Sequence, residues 1–134
     1  MGFKSIVIVE DEPETADMLA EMMRLLGYQV LLSVGGLRAI DLIAEEKPDA
    51  VLLDLMMPDI SGFDILQSIR LDPGLRHIPI IIISAKSLPS DLHRGFEAGA
   101  AFYLTKPVAF SDLKKAVEQA TSMIERGTAG ASVD

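Results

Sequence analysis

The sequence predicts an α/β fold of the doubly wound kind: a five-stranded parallel sheet with five helices packed on both of its faces. Three observations lead there. Short runs of apolar, often β-branched residues alternate five times with segments of helical periodicity. No two of the runs are joined by the two-residue turn of a hairpin, so each strand connects to the next through a helix. Runs such as Ala50–Leu53 and Ile80–Ile83 are apolar at every position, as strands buried on both faces must be.

The elements follow in order. Ser5–Val9 is the first strand, and Pro13 suits the first turn of the helix after it. Leu19, Met22, Met23 and Leu26 recur at helical spacing until Gly27 stops the helix. The Met18, Met22 and Met23 group reads as core packing. Tyr28–Val34 is the second strand, Gly35–Gly36 a turn, and Leu37, Ile40 and Ala44 mark the inner face of a second helix. Pro48–Asp49 ends that pattern before the third strand, Ala50–Leu53. Gly62 opens a third helix with Leu66 and Ile69 on one face. Pro73–Gly74 is a loop, and Ile80–Ile83 is the fourth strand. A fourth helix over Leu88–Ala98 is terminated by Gly99, and Phe102–Thr105 is a short fifth strand. Leu113, Val117, Ala120 and Ile124 give the last helix the stripe of an amphipathic element.

Composition narrows the function. The chain has 134 residues, enough for one domain, expected over 1–126, with 127–134 as a small, polar tail or linker. There is no cysteine, which excludes disulfides, thiolate metal sites and thiol nucleophiles. Net charge is −8 and no basic run exceeds Lys114–Lys115, so direct nucleic-acid binding is not expected. No apolar stretch approaches the roughly 20 residues a membrane helix needs, and no signal-peptide pattern precedes Glu10. The expectation is a cytoplasmic protein that does not engage membranes.

Position carries the chemical information. Strand one ends in Glu10–Asp11, strand three in Asp54, strand four in Ser84 and strand five in Lys106. In open parallel sheets, ligands bind outside the carboxyl ends of the strands where the strand order reverses. An order of 2-1-3-4-5 would make those four ends neighbours and leave strand two, which ends in Ser33, at the edge. Two carboxylates ~4 Å apart repel by ~4 kcal/mol at an effective dielectric of ~20. A cluster of Glu10, Asp11 and Asp54 must therefore raise a pKa or recruit cations. Lys106 offers one, and an oxygen-only pocket suits Mg²⁺. Carboxylate nucleophile, metal, ammonium and hydroxyl together are a phosphoryl-transfer set.

The motifs resemble those of the receiver domains of two-component response regulators. IVIVEDE at 6–12, DLMMPDISG at 54–62, IIISA at 81–85 and YLTKP at 103–107 are similar to that family's acidic pocket, acceptor loop, switch hydroxyl and aromatic–Lys–Pro segment. The resemblance covers about residues 4–124. It implies a flavodoxin-like fold of order 2-1-3-4-5, with Asp54 as phosphoacceptor. It implies Mg²⁺ held by Asp11, Asp54 and the backbone carbonyl of Met56, with Glu10 helping directly or through waters. Glu10 stands where many receivers carry Asp. Lys106 and Ser84 would contact phosphoryl oxygens, Tyr103 would change rotamer as Ser84 moves, and the Lys106–Pro107 bond would be cis. Met56 and Lys86 would flank the approach of a hydrolytic water.

The same resemblance implies a sensor histidine kinase or phosphotransfer protein as donor and a downstream effector or output domain as recipient. It leaves open a phosphorylation-dependent homodimer. Such a chain catalyses only its own phosphorylation and dephosphorylation. A small Mg²⁺-dependent phosphatase with an aspartyl nucleophile is the alternative, although such enzymes need a cap or a further general acid. A flavin-phosphate carrier would want hydroxyls after strand one, where three acids stand. His77 and His93 lack partner ligands, and no phosphate-binding glycine motif is present.

Overall fold

The computed structural model describes residues 4–126, with side chains described through Ser122. The expected tail 127–134 lies outside the described residues, and so does the side chain of Ile124. The order is β1 (Ser5–Val9), α1 (Pro13–Leu25), β2 (Gln29–Ser33), α2 (Ala39–Glu46), β3 (Ala50–Leu53), α3 (Gly62–Leu71), β4 (Ile80–Ser84), α4 (Pro89–Glu97), β5 (Phe102–Thr105) and α5 (Phe110–Arg126). All strand pairs are parallel, and the sheet order is β2-β1-β3-β4-β5, as expected. Among the described residues no helix is long and apolar enough to cross a membrane.

Strand side chains alternate between two cores, as the period of two requires. Val7, Val9, Val51, Leu53, Ile80 and Ile82 pack with Ile43 of α2 and Ile65, Leu66 and Ile69 of α3. Ile6, Ile8, Leu52, Ile81 and Ile83 pack with Leu19 and Met23 of α1 and Leu113 and Val117 of α5. Each such fully buried aliphatic side chain stabilises the fold by roughly 1.5–3 kcal/mol before entropy is counted.

Local chemistry ends the helices where the sequence suggests. Gly27 takes a left-handed φ of +92°, its amide bonding to the Arg24 carbonyl while Tyr28 bonds to that of Met23. Ser61 caps α3 by accepting from the Phe63 amide at 3.2 Å. Arg70, at the end of α3, donates to the Gly99 carbonyl at 2.7 and 3.1 Å, to Arg76 at 2.8 Å and to Ile78 at 3.1 Å. Burial lowers its pKa.

Three expectations are corrected. β2 is shorter than Tyr28–Val34 at both ends. The buried face of α2 is Ala39 and Ile43, whereas Leu37 precedes the helix and is 70% exposed, and Ala44 is exposed as well. In eight residues the helical period admits two faces, and the turn before the helix decides between them. Of the methionines, Met23 is core and Met22 half-buried, but Met18 is 43% exposed. It lines a shallow apolar groove with Leu19, Pro107 and Val108.

Candidate functional site

The sheet ladder itself brings the polar residues together. Val9 pairs with Leu53, Leu53 with Ile82, and Ser84 with Thr105. Backbone bonds run one residue further: the Asp54 amide donates to the Val9 carbonyl at 3.0 Å and the Lys106 amide to the Ser84 carbonyl at 2.9 Å. The side chains that leave the strand ends therefore converge on one cleft of about 230 Å³, lined by Glu10, Asp11, Glu12, Asp54, Met56, Ala85 and Lys106.

Glu10, Asp11 and Asp54 each offer a carboxylate oxygen, and these lie within 4.8 Å of one another. Glu10 and Asp54 are buried and Asp11 is half-buried. Lys106 Nζ is 3.0 Å from Glu10 Oε1 and 3.7 Å from Asp54 Oδ2. Burial pushes the Glu10 pKa up; the Lys106 bond pulls against that, and the Asp54 charge adds to the rise. Burial also disfavours the Lys106 ammonium, but Glu10, Asp54 and Glu12 outweigh it and the Lys106 pKa is raised. Three carboxylates against one ammonium leave a surplus of negative charge in an all-oxygen donor set. That chemistry fits a hard divalent cation such as Mg²⁺.

The loop after β3 is held at both ends. Its start is tight: the Gly62 amide bonds to the Leu55 carbonyl at 3.0 Å, and a Cβ on Gly62 would lie 2.5 Å from the Asp54 carbonyl oxygen. The Met56 amide donates to Asp54 Oδ1 at 3.2 Å, and the Met56 side chain is 54% exposed. The far end is fixed by Asp59, a residue the sequence did not single out. Its carboxylate accepts from the amides of Gly36, Leu37 and Ile60 at 2.9–3.2 Å. The Gly36 bond, followed by those from Leu37 and Ile60, lowers its pKa. Asp59 after Pro58 looks like an ordinary turn residue, and only the fold shows that the Gly35–Gly36 turn lies opposite it.

Ser84 and Tyr103 stand beside the cleft rather than in its lining. Ser84 is fully buried and its hydroxyl accepts from the Lys86 amide at 3.1 Å. Tyr103 is 8% exposed, and its hydroxyl donates to the Lys86 carbonyl at 2.9 Å. Lys86 thus links the two through its own backbone, a connection not evident from the sequence. Burial raises the Tyr103 pKa, partly offset by the Ser84 hydroxyl. The Lys106–Pro107 bond is cis, as expected.

The polar-differentiation response regulator DivK of Brucella anthropi is 33% identical over 106 residues, covering 79% of this chain and 86% of that protein. A putative response regulator from Chloroflexus aurantiacus superposes with a TM-score of 0.86 at 31% identity, covering 90% of this chain and 99% of that one. The receiver domain of a sensor histidine kinase from Pseudomonas aeruginosa, solved with a magnesium ion coordinated in its active-site cleft, has a TM-score of 0.83 at 30% identity. It covers 90% of this chain and 99% of that one. Residues 6–118 match the response regulator receiver domain, and with the acidic cleft at the expected strand ends the chain belongs to that family of two-component signalling proteins.

Proposed function

We propose that this receiver domain is switched by phosphorylation of Asp54, with a phospho-histidine of a sensor kinase or phosphotransfer protein as donor. One observation carries the reading: a buried Asp54 carboxylate shares a cleft with two further acids and has the Lys106 ammonium 3.7 Å away. An Asp54 oxygen attacks phosphorus as the donor P–N bond breaks, and the imidazole nitrogen leaves with the electron pair. A Mg²⁺ bound by Asp11, Asp54 and the Met56 carbonyl, with Glu10 contributing directly or through water, would neutralise the surplus negative charge there and draw in the donor's oxygens. Lys106, pre-aimed by Glu10, meets one phosphoryl oxygen, and the Ser84 hydroxyl turns from the Lys86 amide toward another.

Phosphorylation replaces the single negative charge of the Asp54 carboxylate with a phosphoryl group carrying about −1.5 to −2 beside Ser84. The response passes through the Lys86 backbone to Tyr103 and the face built from α4, β5 and α5, where an effector or output domain, or a second copy, reads it. The chain acts on itself and not on a free substrate. Incubation with acetyl phosphate and Mg²⁺, followed by mass spectrometry, should place one phosphoryl group on Asp54. It should be lost in Asp54→Asn and on chelation of the metal. Equal labelling of Asp54→Asn would overturn the assignment, and turnover of small phosphomonoesters would favour the phosphatase alternative.

A further inference from the structure

Gly95 lies in the interior of α4 and is buried, although glycine is a poor helix former. The neighbouring ring explains its presence. A Cβ on Gly95 would lie 2.7 and 3.0 Å from Cδ2 and Cε2 of Tyr103, and 3.0 Å from Cδ1 of Ile82. The first of these is closer than carbon atoms approach without one of them moving. The Tyr103 ring fills the space that an alanine methyl would take, with its hydroxyl tied to the Lys86 carbonyl at 2.9 Å. Phe96, the next residue of α4, flanks the ring at 6.5 Å between centroids.

We propose that Gly95 is the seat of the Tyr103 ring, so that α4, by lacking one side chain there, sets the aromatic inward before any phosphorylation. This deepens the reading above, in which Tyr103 belongs to the switch, and rests on it for its regulatory meaning. Alanine at this position forces a choice. Either the ring swings out to solvent and gives up the Lys86 carbonyl, or α4 lifts from β5. The ring moves more easily, because one χ1 rotation relieves the clash while lifting α4 uncovers its buried face. The inward state then has to be drawn in by the modified site instead of being present at rest.

The chain contains no tryptophan and two tyrosines, so Tyr28→Phe leaves Tyr103 as the single reporter. The Tyr28 hydroxyl makes a 3.5 Å contact with Thr121, and Tyr28→Phe removes that hydroxyl while keeping the ring packed. In that background, acrylamide should quench Tyr103 weakly, and Gly95→Ala should raise the quenching constant several-fold. Beryllium fluoride with Mg²⁺, a phosphoryl mimic, should lower it again. An unchanged constant in a variant with parental circular dichroism would overturn the proposal.

Thermal melts give a second readout. Gly95→Ala should lower or leave the Tm while Tyr103 is present, and raise it by a few degrees in a Tyr103→Ala background, where only the flexible end of Ile82 opposes helix propensity. An equal rise in both backgrounds would also overturn the seat. If Gly95→Ala exposes Tyr103 but beryllium fluoride does nothing and Asp54 takes no label, the seat stands and the phosphorylation reading fails. If Asp54 labels normally while Tyr103 ignores Gly95→Ala, the reverse holds.

Discussion

Replacing Gly62 by alanine should damage the site and the fold together, and the structure supplies the magnitude. The added Cβ would meet the Asp54 carbonyl oxygen at 2.5 Å, the Leu55 Cα at 2.7 Å and the Asp54 carbonyl carbon at 3.1 Å. Ordinary contact begins near 3.4 Å, so the backbone must yield by roughly 1 Å, and overpacking of this kind costs about 1–3 kcal/mol. All three atoms are main chain, which no rotamer can move, so the upper part of that range applies. At about 2–3 kcal/mol the melting temperature of a domain this size falls by roughly 10 °C. Two of the three atoms pushed belong to Asp54, the proposed acceptor, and misplacing a reacting group by about 1 Å can cost about 100-fold in rate.

Two other glycines calibrate the effect. At Gly36 the three nearest atoms are side-chain, Ile60 Cγ2 at 2.2 Å, Ile65 Cδ1 at 2.8 Å and Met57 Cε at 3.2 Å; the first sits on a β-branched carbon and yields only by a χ1 turn, so Gly36→Ala should also lower the Tm but disturb Asp54 labelling less than Gly62→Ala. At Gly74 the nearest atom is a side-chain oxygen at 3.4 Å, and Gly74→Ala should be neutral or gain about 0.4–1 kcal/mol. Thermal melts and acetyl-phosphate labelling of the three variants test the ranking. A Gly62→Ala protein that melts and labels like its parent would refute the reasoning.

Other outcomes follow from the site. Asp59→Asn should lower the Tm at neutral pH. Because the folded Asp59 pKa is depressed, its contribution is present above the unfolded value near 3.8 and is lost as pH falls through the lower folded value. The gap between wild type and variant in pH-dependent melts should therefore close only in strong acid. Lys106→Ala should still accept some phosphate on Asp54, but its NMR spectrum should lose most of the change at α4 and β5 that the proposed phosphorylation should cause in wild type. Met56 and Lys86, both exposed, offer no group that orients a water as an acceptor, so the acyl phosphate should be long-lived. Met56→Asn with Lys86→Glu should shorten it by about 10–100-fold, a cautious share of what acid–base assistance supplies. Phosphate release with time measures it, and an unchanged rate would clear both side chains of the role.

The strands and the acidic cleft were legible because their signals are local. Ile80–Ile83 can hardly be anything but a buried strand, and an acid or a lysine directly after such a run has only one end of the sheet to occupy. What escaped the sequence depends on contacts between distant segments. The inner face of α2 turns on Ala39 and Ile43 instead of Leu37 and Ala44, since the Gly36 turn fixes where the helix starts. Asp59 acquires its role only when the loop after β3 meets the turn after β2. Met18 stays 43% exposed because it lines the groove beside Pro107 and Val108 instead of entering the core. The link from Ser84 to Tyr103 runs through the main chain of Lys86, and backbone carbonyls leave no mark in a sequence.

The use of Arg70 divides the molecule mechanically. Its guanidinium is committed to the carbonyls of Arg76, Ile78 and Gly99, which pins the end of α3 to the segments entering β4 and β5. That splint stands at the opposite end of the strands from Asp54, where main chain is clamped to main chain through a planar cation with no charged partner among the described residues to compete for it. The amino ends of β4 and β5 are thereby made to behave as a fixed base. Any displacement begun at Asp54 cannot be absorbed by sliding these strands as wholes. On the proposed switch it would spend itself at the free end, in the loop carrying Lys86 and in the tilt of α4, with stiffness at one pole giving the other its direction of travel.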